Sequence, residues 1–207
     1  MSEVKIPALN TEEAINDILG TIEREREREI IARRFGLFER KETLEQIGEL
    51  LGITRERVRQ LEKSVLTRLK TTAEQGKLPH VTSVQERILA ELQKVGSAAR
   101  VSELASHLGT ESTRTEQSRV AFLAQLCPDV ILIEEDDSHY LAVASLAGKD
   151  VKQIKALVST VVATIKEIGK PANITEVIKQ SNLSESVQTV QALASISKSL
   201  ASLKGVW

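Results

Sequence analysis

The 207-residue chain is 41 % apolar and 28 % charged, enough apolar side chain to build cores and too much to leave the chain disordered. Aromatics make up only 2 %, so Leu, Ile, Val and Ala must fill those cores, which suits small helical modules better than a β-sandwich or barrel. A single cysteine, Cys127, excludes an internal disulfide framework, and no apolar run approaches the roughly 18 residues of a membrane span.

The start of the chain, MSEVKIPALNTEEAIND, lacks a basic segment followed by an apolar one, so no secretory signal is expected and the predicted location is cytoplasmic. A net charge of −1 conceals a strong segregation. Residues 1–19 carry −3, residues 20–70 carry +3, residues 71–150 carry −5 and residues 151–207 carry +4. Charge divided in this way implies modules with different partners.

In chain order, Asn10-Thr11-Glu12-Glu13 reads as a capping box opening a first helix that carries Ala14, Ile15 and Ile18 and stops near Gly20. A second helix is predicted from Ile22 to Arg34, ahead of Phe35-Gly36-Leu37. Its alternating Glu23–Glu29 run pairs opposite charges three residues apart and reads as a solvated helix surface. A third helix starts at Thr43 and ends near Leu51-Gly52, and a fourth runs from Thr54 to about Lys70. The polar, Pro- and Gly-containing stretch TTAEQGKLPHVTS over 71–83 reads as a linker.

Residues 84–146 follow another plan: helical patterns at 84–95, 101–108 and 113–127, then Val130–Ile133 and Tyr140–Val143 flanking Glu134-Glu135-Asp136-Asp137-Ser138-His139. Three helices and a β-hairpin make the winged-helix plan. RILAELQKVGSAARVSELASHL (87–108) aligns with TVVATIKEIGKPANITEVIKQS (160–181) at an offset of 73, matching Gly96 with Gly169 and Ser102-Glu103 with Thr175-Glu176. A further helix is expected over 185–202, and the chain stops at Gly205-Val206-Trp207, where a first wing strand should begin. The expected fold is therefore mainly α. It comprises a four-helix domain over 1–72, a linker over 73–83, a winged-helix-like domain over 84–146, and a second, truncated winged-helix-like module over 150–207.

The chemistry concentrates in TLEQIGELLGITRERVRQLEKSVLTRLK, Thr43–Lys70. Leu44, Ile47 and Leu51 mark the buried side of a short helix, Gly52 permits a tight turn, and Val58, Leu61, Val65 and Leu69 repeat at helical spacing behind a Thr54 cap. Two helices joined by such a turn form a helix-turn-helix, whose second helix enters the DNA major groove. Arg55 and Arg59, like Glu56 and Gln60, stand one turn apart on what remains exposed. Arg pairs with guanine, Glu accepts from cytosine N4 and Gln holds adenine. Arg57 and Lys63 suit phosphates, and the helix N-terminus at Thr54 adds main-chain N–H donors. A salt-bridged surface helix is the alternative reading.

This stretch closely resembles region four of primary-type bacterial sigma factors, in which TLEQIG…TRERVRQLE is the promoter-reading helix-turn-helix; EREREIIARRFGL (25–37) resembles the other half of that region. The resemblance spans about residues 11–70. It implies readout of a −35 promoter element by Arg55, Glu56 and Gln60, backbone contacts from Thr54, Arg57 and Arg59 with Arg34 and Leu44 supporting at the phosphates, and docking on the β flap of RNA polymerase. The five aromatics, Phe35, Phe38, Phe122, Tyr140 and Trp207, form no cluster like the one with which sigma factors capture and melt the −10 element. A reader without an opener is expected.

The later modules resemble winged-helix domains fused to bacterial DNA-binding and restriction proteins and present in an accessory polymerase subunit. The acidic turn Glu134–Asp137 disfavours a wing laid along phosphates, so this module is expected to bind protein, to mediate self-association or to space its neighbours. Lys152, Lys155, Lys166, Lys170, Lys179, Lys198 and Lys204 give the last segment a solvated basic face. His80, His107 and His139 show no ligand spacing with Cys127, no phosphate loop occurs, and neither metal, cofactor nor enzymatic activity is expected. The sequence thus predicts a −35-reading transcription regulator that binds double-stranded DNA. The alternatives are a protein-interaction adaptor docked on polymerase and the DNA-targeting part of a larger nuclease.

Overall fold

The computed structural model describes residues 9–108, 111, 113–133, 142–146, 151–202 and 206–207, which hold ten α-helices and one three-stranded sheet. The fold is mainly α, as expected. The chain forms two compact units, Met1–Arg87 with Ala105–Pro128, and Ile88–Leu104 with Asp129–Trp207.

The first unit is built from helices whose ends are chemically marked. α1 (Thr11–Gly20) is capped by Asn10, whose side chain accepts from the Glu13 N–H at 3.1 Å and donates to the Glu13 carboxylate at 2.9 Å. α2 (Glu25–Phe35) begins three residues later than the apolar period suggested, because Arg24 is still extended, and it closes on Gly36 in the left-handed conformation. α3 (Leu44–Leu51) opens on a complete capping box, Thr43 with Gln46, which satisfies two end donors reciprocally. α4 (Arg55–Glu74) is capped by Thr54 and continues one turn past Lys70, because Ala73 extends the buried stripe of Val58, Val65 and Leu69.

Ile30, Ile47 and Val58 form a fully buried cluster joining α2, α3 and α4, with Leu44, Leu51, Ile53 and Leu61 packed around it. α7 (Arg114–Leu126), capped by Thr113, packs on α1, α2 and α4, and its Phe122 meets Phe35 at a 5.0 Å centroid separation with rings tilted by 54°. Cys127 ends this helix buried, with its thiol on the Leu123 carbonyl at 3.2 Å, as a small packing residue.

The second unit has a core of its own. α8 (Val151–Ile168) faces inward with Ile154, Val158, Val161 and Ile165, and packs against α9 (Ile174–Ser181) and α10 (Val187–Ile196). β1 (Ala98–Arg100), β2 (Val130–Ile133) and β3 (Val143–Leu146) form an antiparallel sheet in the order β1-β3-β2, with Ala98 opposite Ser145 and Ile133 opposite Val143. β3 runs over 143–146 rather than ending at Val143; the expected wing turn 134–139 and Tyr140 lie outside the described residues. β1 escaped the sequence reading because three residues of Ala-Ala-Arg carry no strand signal, and pairing with β3 is what defines them.

The offset of 73 holds element by element. α5 (Val81–Val95) and α8 end at equivalent positions, α6 (Val101–His107) and α9 begin at equivalent positions, and the caps Thr113 and Ser186 open α7 and α10 in the same register. Ala172 and Asn173, the counterparts of Ala99 and Arg100, pair with the chain end: Asn173 bridges Val206, and Ala172 and Trp207 exchange main-chain hydrogen bonds of 2.8 and 2.9 Å.

Gly48 and Gly96 are required by close approach. A Cβ on Gly48 would stand 2.7 Å from the Ile53 carbonyl oxygen, so α3 and the turn into α4 meet only because none is there. Gly96 has φ +102°, and a Cβ there would strike the Gln188 carbonyl and lie 2.8 Å from the Thr189 nitrogen. G48A should lower the stability of the first unit by about 1–3 kcal/mol in chemical denaturation, the overpacking cost exceeding the ~1 kcal/mol helix-propensity gain. G96A should destabilise the second unit more than G169A, since a Cβ on Gly169 meets nothing closer than 3.9 Å; hydrogen exchange resolved by segment distinguishes the two units.

Candidate nucleic-acid interface

The helix-turn-helix exists because Gly52, left-handed at φ 64°, ends α3 and Thr54 starts α4 two residues later, its hydroxyl accepting the Arg57 N–H at 3.2 Å. Val58 then points into the Ile30–Ile47 cluster, which turns the opposite side of the helix to solvent. Arg55, Glu56, Arg57, Arg59, Gln60 and Lys63 are all exposed on α4. Shallow grooves along this helix are lined by Arg59, Gln60, Lys63, Ser64, Thr67 and Arg68, and by Arg59, Glu62, Lys63, Leu66, Thr67 and Lys70.

These side chains hold one another. Arg59 grips Glu56 with two hydrogen bonds of 2.8 and 2.7 Å, Gln60 donates to the same carboxylate at 3.2 Å, and Arg57 donates to the Gln60 side-chain oxygen at 3.4 Å. Arg55 stands 4.0 Å from Glu45 on α3. The Arg59 guanidinium holds the Glu56 carboxyl at about 2, well below its ordinary range, with the Gln60 amide assisting; in return Glu56 raises Arg59. Glu56 is therefore an acceptor-only carboxylate at neutral pH, as a contact to an amino group requires. These pairs lie in solvent, where screening makes them cheap to break.

The remaining predicted residues occupy different settings. Arg34 is half-buried on α2, donating to the Glu42 carbonyl at 3.2 Å and standing 3.5 Å from Glu62 on α4. It thereby ties the entry of α3 to α4. Leu44 is half-buried against the Ile30–Ile47–Val58 cluster, so its side chain packs and only its main-chain N–H, in the first turn of α3, is of use to a phosphate.

The sequence reading missed the ionic scaffold behind this face. Glu27 is 5 % exposed and receives Arg68 from α4 together with Arg24 at 3.5 Å. The alternating Glu-Arg run is thus not solvated throughout. Glu27 precedes Ile30 and Ile31 by one helical turn on their buried side, and that spacing was the available signal. Arg26 donates to the Leu51 carbonyl, closing α2 on the end of α3. Arg33, raised by Glu29 and Glu42, clamps the loop before Thr43 with a 2.9 Å bond to Glu42.

No solved structure matches the chain. Over 59 residues the chain is 44 % identical to an RNA polymerase sigma factor SigA from a Bacillus species, covering 28 % of this chain and 15 % of that protein. Over 55 residues it is 49 % identical to the RNA polymerase sigma factor sigB of Arabidopsis thaliana, covering 26 % of this chain and 9 % of that protein. The chain thus spans a small fraction of the relatives it matches. Residues 24–71, which contain α2, α3 and all but the last turn of α4, match the family described as Sigma-70, region 4, and the N-terminal part of this chain carries that region.

Proposed function

We propose that the chain is a sequence-specific DNA-binding transcription regulator that reads a −35-like promoter element in the major groove through α4, without melting the promoter. The observation that carries this reading is the outward face at the capped start of α4, five polar or charged side chains within one and a half turns, inside the segment that matches region 4. In this mechanism the helix N-terminus and Thr54 approach a phosphate, Arg55, Glu56 and Gln60 exchange their mutual contacts for base edges, and Arg57, Arg59, Lys63, Arg34 and the Leu44 N–H set register on the backbone. Among the described aromatics, Phe35 and Phe122 pack at a tilt inside the first unit, Phe38 is exposed beside Arg119 and Trp207 packs on the core of the second, a dispersal that supports a reader lacking an opener. A single reader of this size binds weakly, so a protein partner or second copy belongs to this reading, with the winged-helix-like modules as its site.

A second reading, an adaptor docked on the β flap of RNA polymerase with DNA reading secondary, draws on the two relatives, both named RNA polymerase sigma factors. Joint substitution of Arg55, Glu56 and Gln60 by Ala separates the readings: the first expects promoter affinity to vanish while polymerase binding persists.

Binding to a −35 consensus duplex and to a scrambled duplex at two salt concentrations is the direct test. The consensus should bind more tightly, and E56A should relax the preference at one base pair by about ten- to a hundredfold while keeping the salt dependence. Equal, steeply salt-dependent binding to both duplexes would sink the proposal. Because Arg59 depresses Glu56, the carboxylate gains a proton only as pH falls toward about 2, so the Glu56-dependent preference should be flat from about pH 8 to about pH 5. In the free chain, R59A should return the Glu56 carboxyl toward its ordinary value of 4.5, read by NMR titration without DNA.

A further inference from the structure

The reading unit contains a helix well outside the segment that matches region 4. α7 presents Glu116, Arg119 and Phe122 at three-residue spacing toward α1 and the end of α2. Arg119 is 7 % exposed. Its Nε donates to the Leu37 carbonyl at 2.8 Å, while Nη1 meets Glu116 at 2.7 Å and Glu12 at 3.0 Å. The guanidinium carbon lies 5.6 Å from the centre of the Phe38 ring, and Thr11 donates to Glu116 at 2.6 Å. Phe122 packs on Phe35. Arg119 and Phe122 meet the last residue of α2 and the turn that follows, at Phe35, Leu37 and Phe38.

The internal repeat isolates the face. At the offset of 73, Val120 and Leu123 correspond to Leu193 and Ile196, and all four are buried core residues. Glu116, Arg119 and Phe122 instead correspond to Thr189, Ala192 and Ser195. The copy keeps the side of the helix that builds its own hydrophobic core and lacks the three side chains that hold the end of α2. α10 accordingly packs on α8, α9 and β1, whereas α7 packs on α1, α2 and α4. A buried cation paired with the half-buried Glu116 is costly to desolvate, Glu12 reaching it from the solvent side, and the helix architecture does not need the pair, since α10 does without.

The residue before Phe35 is Arg34, which joins the entry of α3 to α4. We propose that Arg119, with Phe122, is a positioning residue for DNA reading: by fixing the 35–38 turn it fixes Arg34 and the attitude of the α3–α4 pair, so α7 is a working part of the reader and not a spacer. This rests on the reading that α4 binds DNA.

The test uses the full chain with R119M, R119K and F122L, each crossed with R34A. R119M should weaken consensus binding about tenfold, as for one lost specific contact, and R34A should then cost nothing further. R119K, a point charge lacking the planar fork, should fall between wild type and R119M. Hydrogen exchange, read without DNA, should show lost protection over residues 36–46 in R119M with α8–α10 unchanged. Wild-type affinity in R119M, or full additivity with R34A, overturns the proposal. If R119M fails to fold, F122L and R119K decide by the same criteria. If the wild-type chain shows no consensus preference, the DNA reading itself has failed; exchange then decides the positioning claim, which unchanged protection over 36–46 overturns.

Discussion

The first unit depends on one close approach, the Ile53 carbonyl lying over Gly48 where a side chain would otherwise stand. That contact lets a three-residue connection, Gly52 to Thr54, bring α4 back across α3 with Val58 buried against Ile30 and Ile47. Once Val58 is fixed, helical periodicity turns Glu56 and Gln60 outward, with Arg59 on the flank, and Arg55 is exposed in the first turn of α4. The chemistry of the face is thus a consequence of backbone packing on its opposite side.

Charge serves two separate purposes around this core. Behind the face, ion pairs are partly buried and join elements: Glu27 with Arg68, Arg33 with Glu42, and Arg34 with Glu62. Breaking such a pair strands a desolvated charge, so these side chains are held in place. On the face itself the pairs are solvent-exposed, Arg59 with Glu56 inside α4 and Arg55 with Glu45 across to α3, so they keep Glu56 ionised and the guanidinium groups ordered without committing them. A charge census of the segment cannot tell the two classes apart, since both are built from alternating Glu and Arg.

The two copies of the repeat show how one helical plan takes two duties. Boundaries, caps and the short β-pairing before the second helix recur at a constant offset, from Ala99-Arg100 paired in the sheet to Ala172-Asn173 paired with the chain end. The apolar side of the third helix is kept in both. What differs is the other side: Glu116, Arg119 and Phe122 in α7, and Thr189, Ala192 and Ser195 in α10. These three positions carry the contacts that α7 makes with α1 and the end of α2 and that α10 lacks.

The sequence by itself determined what is local. Thr43 with Gln46, Gly52, Thr54 and the 3.6-residue stripe of α4 specify the helix-turn-helix, because capping, left-handed turns and amphipathic period act over a few residues. TRERVRQ specified the exposed polar face of α4, and the offset of 73 specified the repeat. Tertiary structure decided whatever depends on residues far apart in the chain. β1 is a strand only because β3 lies beside it, Glu27 is buried only because Arg68 arrives from another helix, and Leu44 is spent on packing beneath α4. Arg119 was invisible for the same reason: an arginine in a helix of mixed polarity carries no mark of the carbonyl, 82 residues earlier, on which it closes.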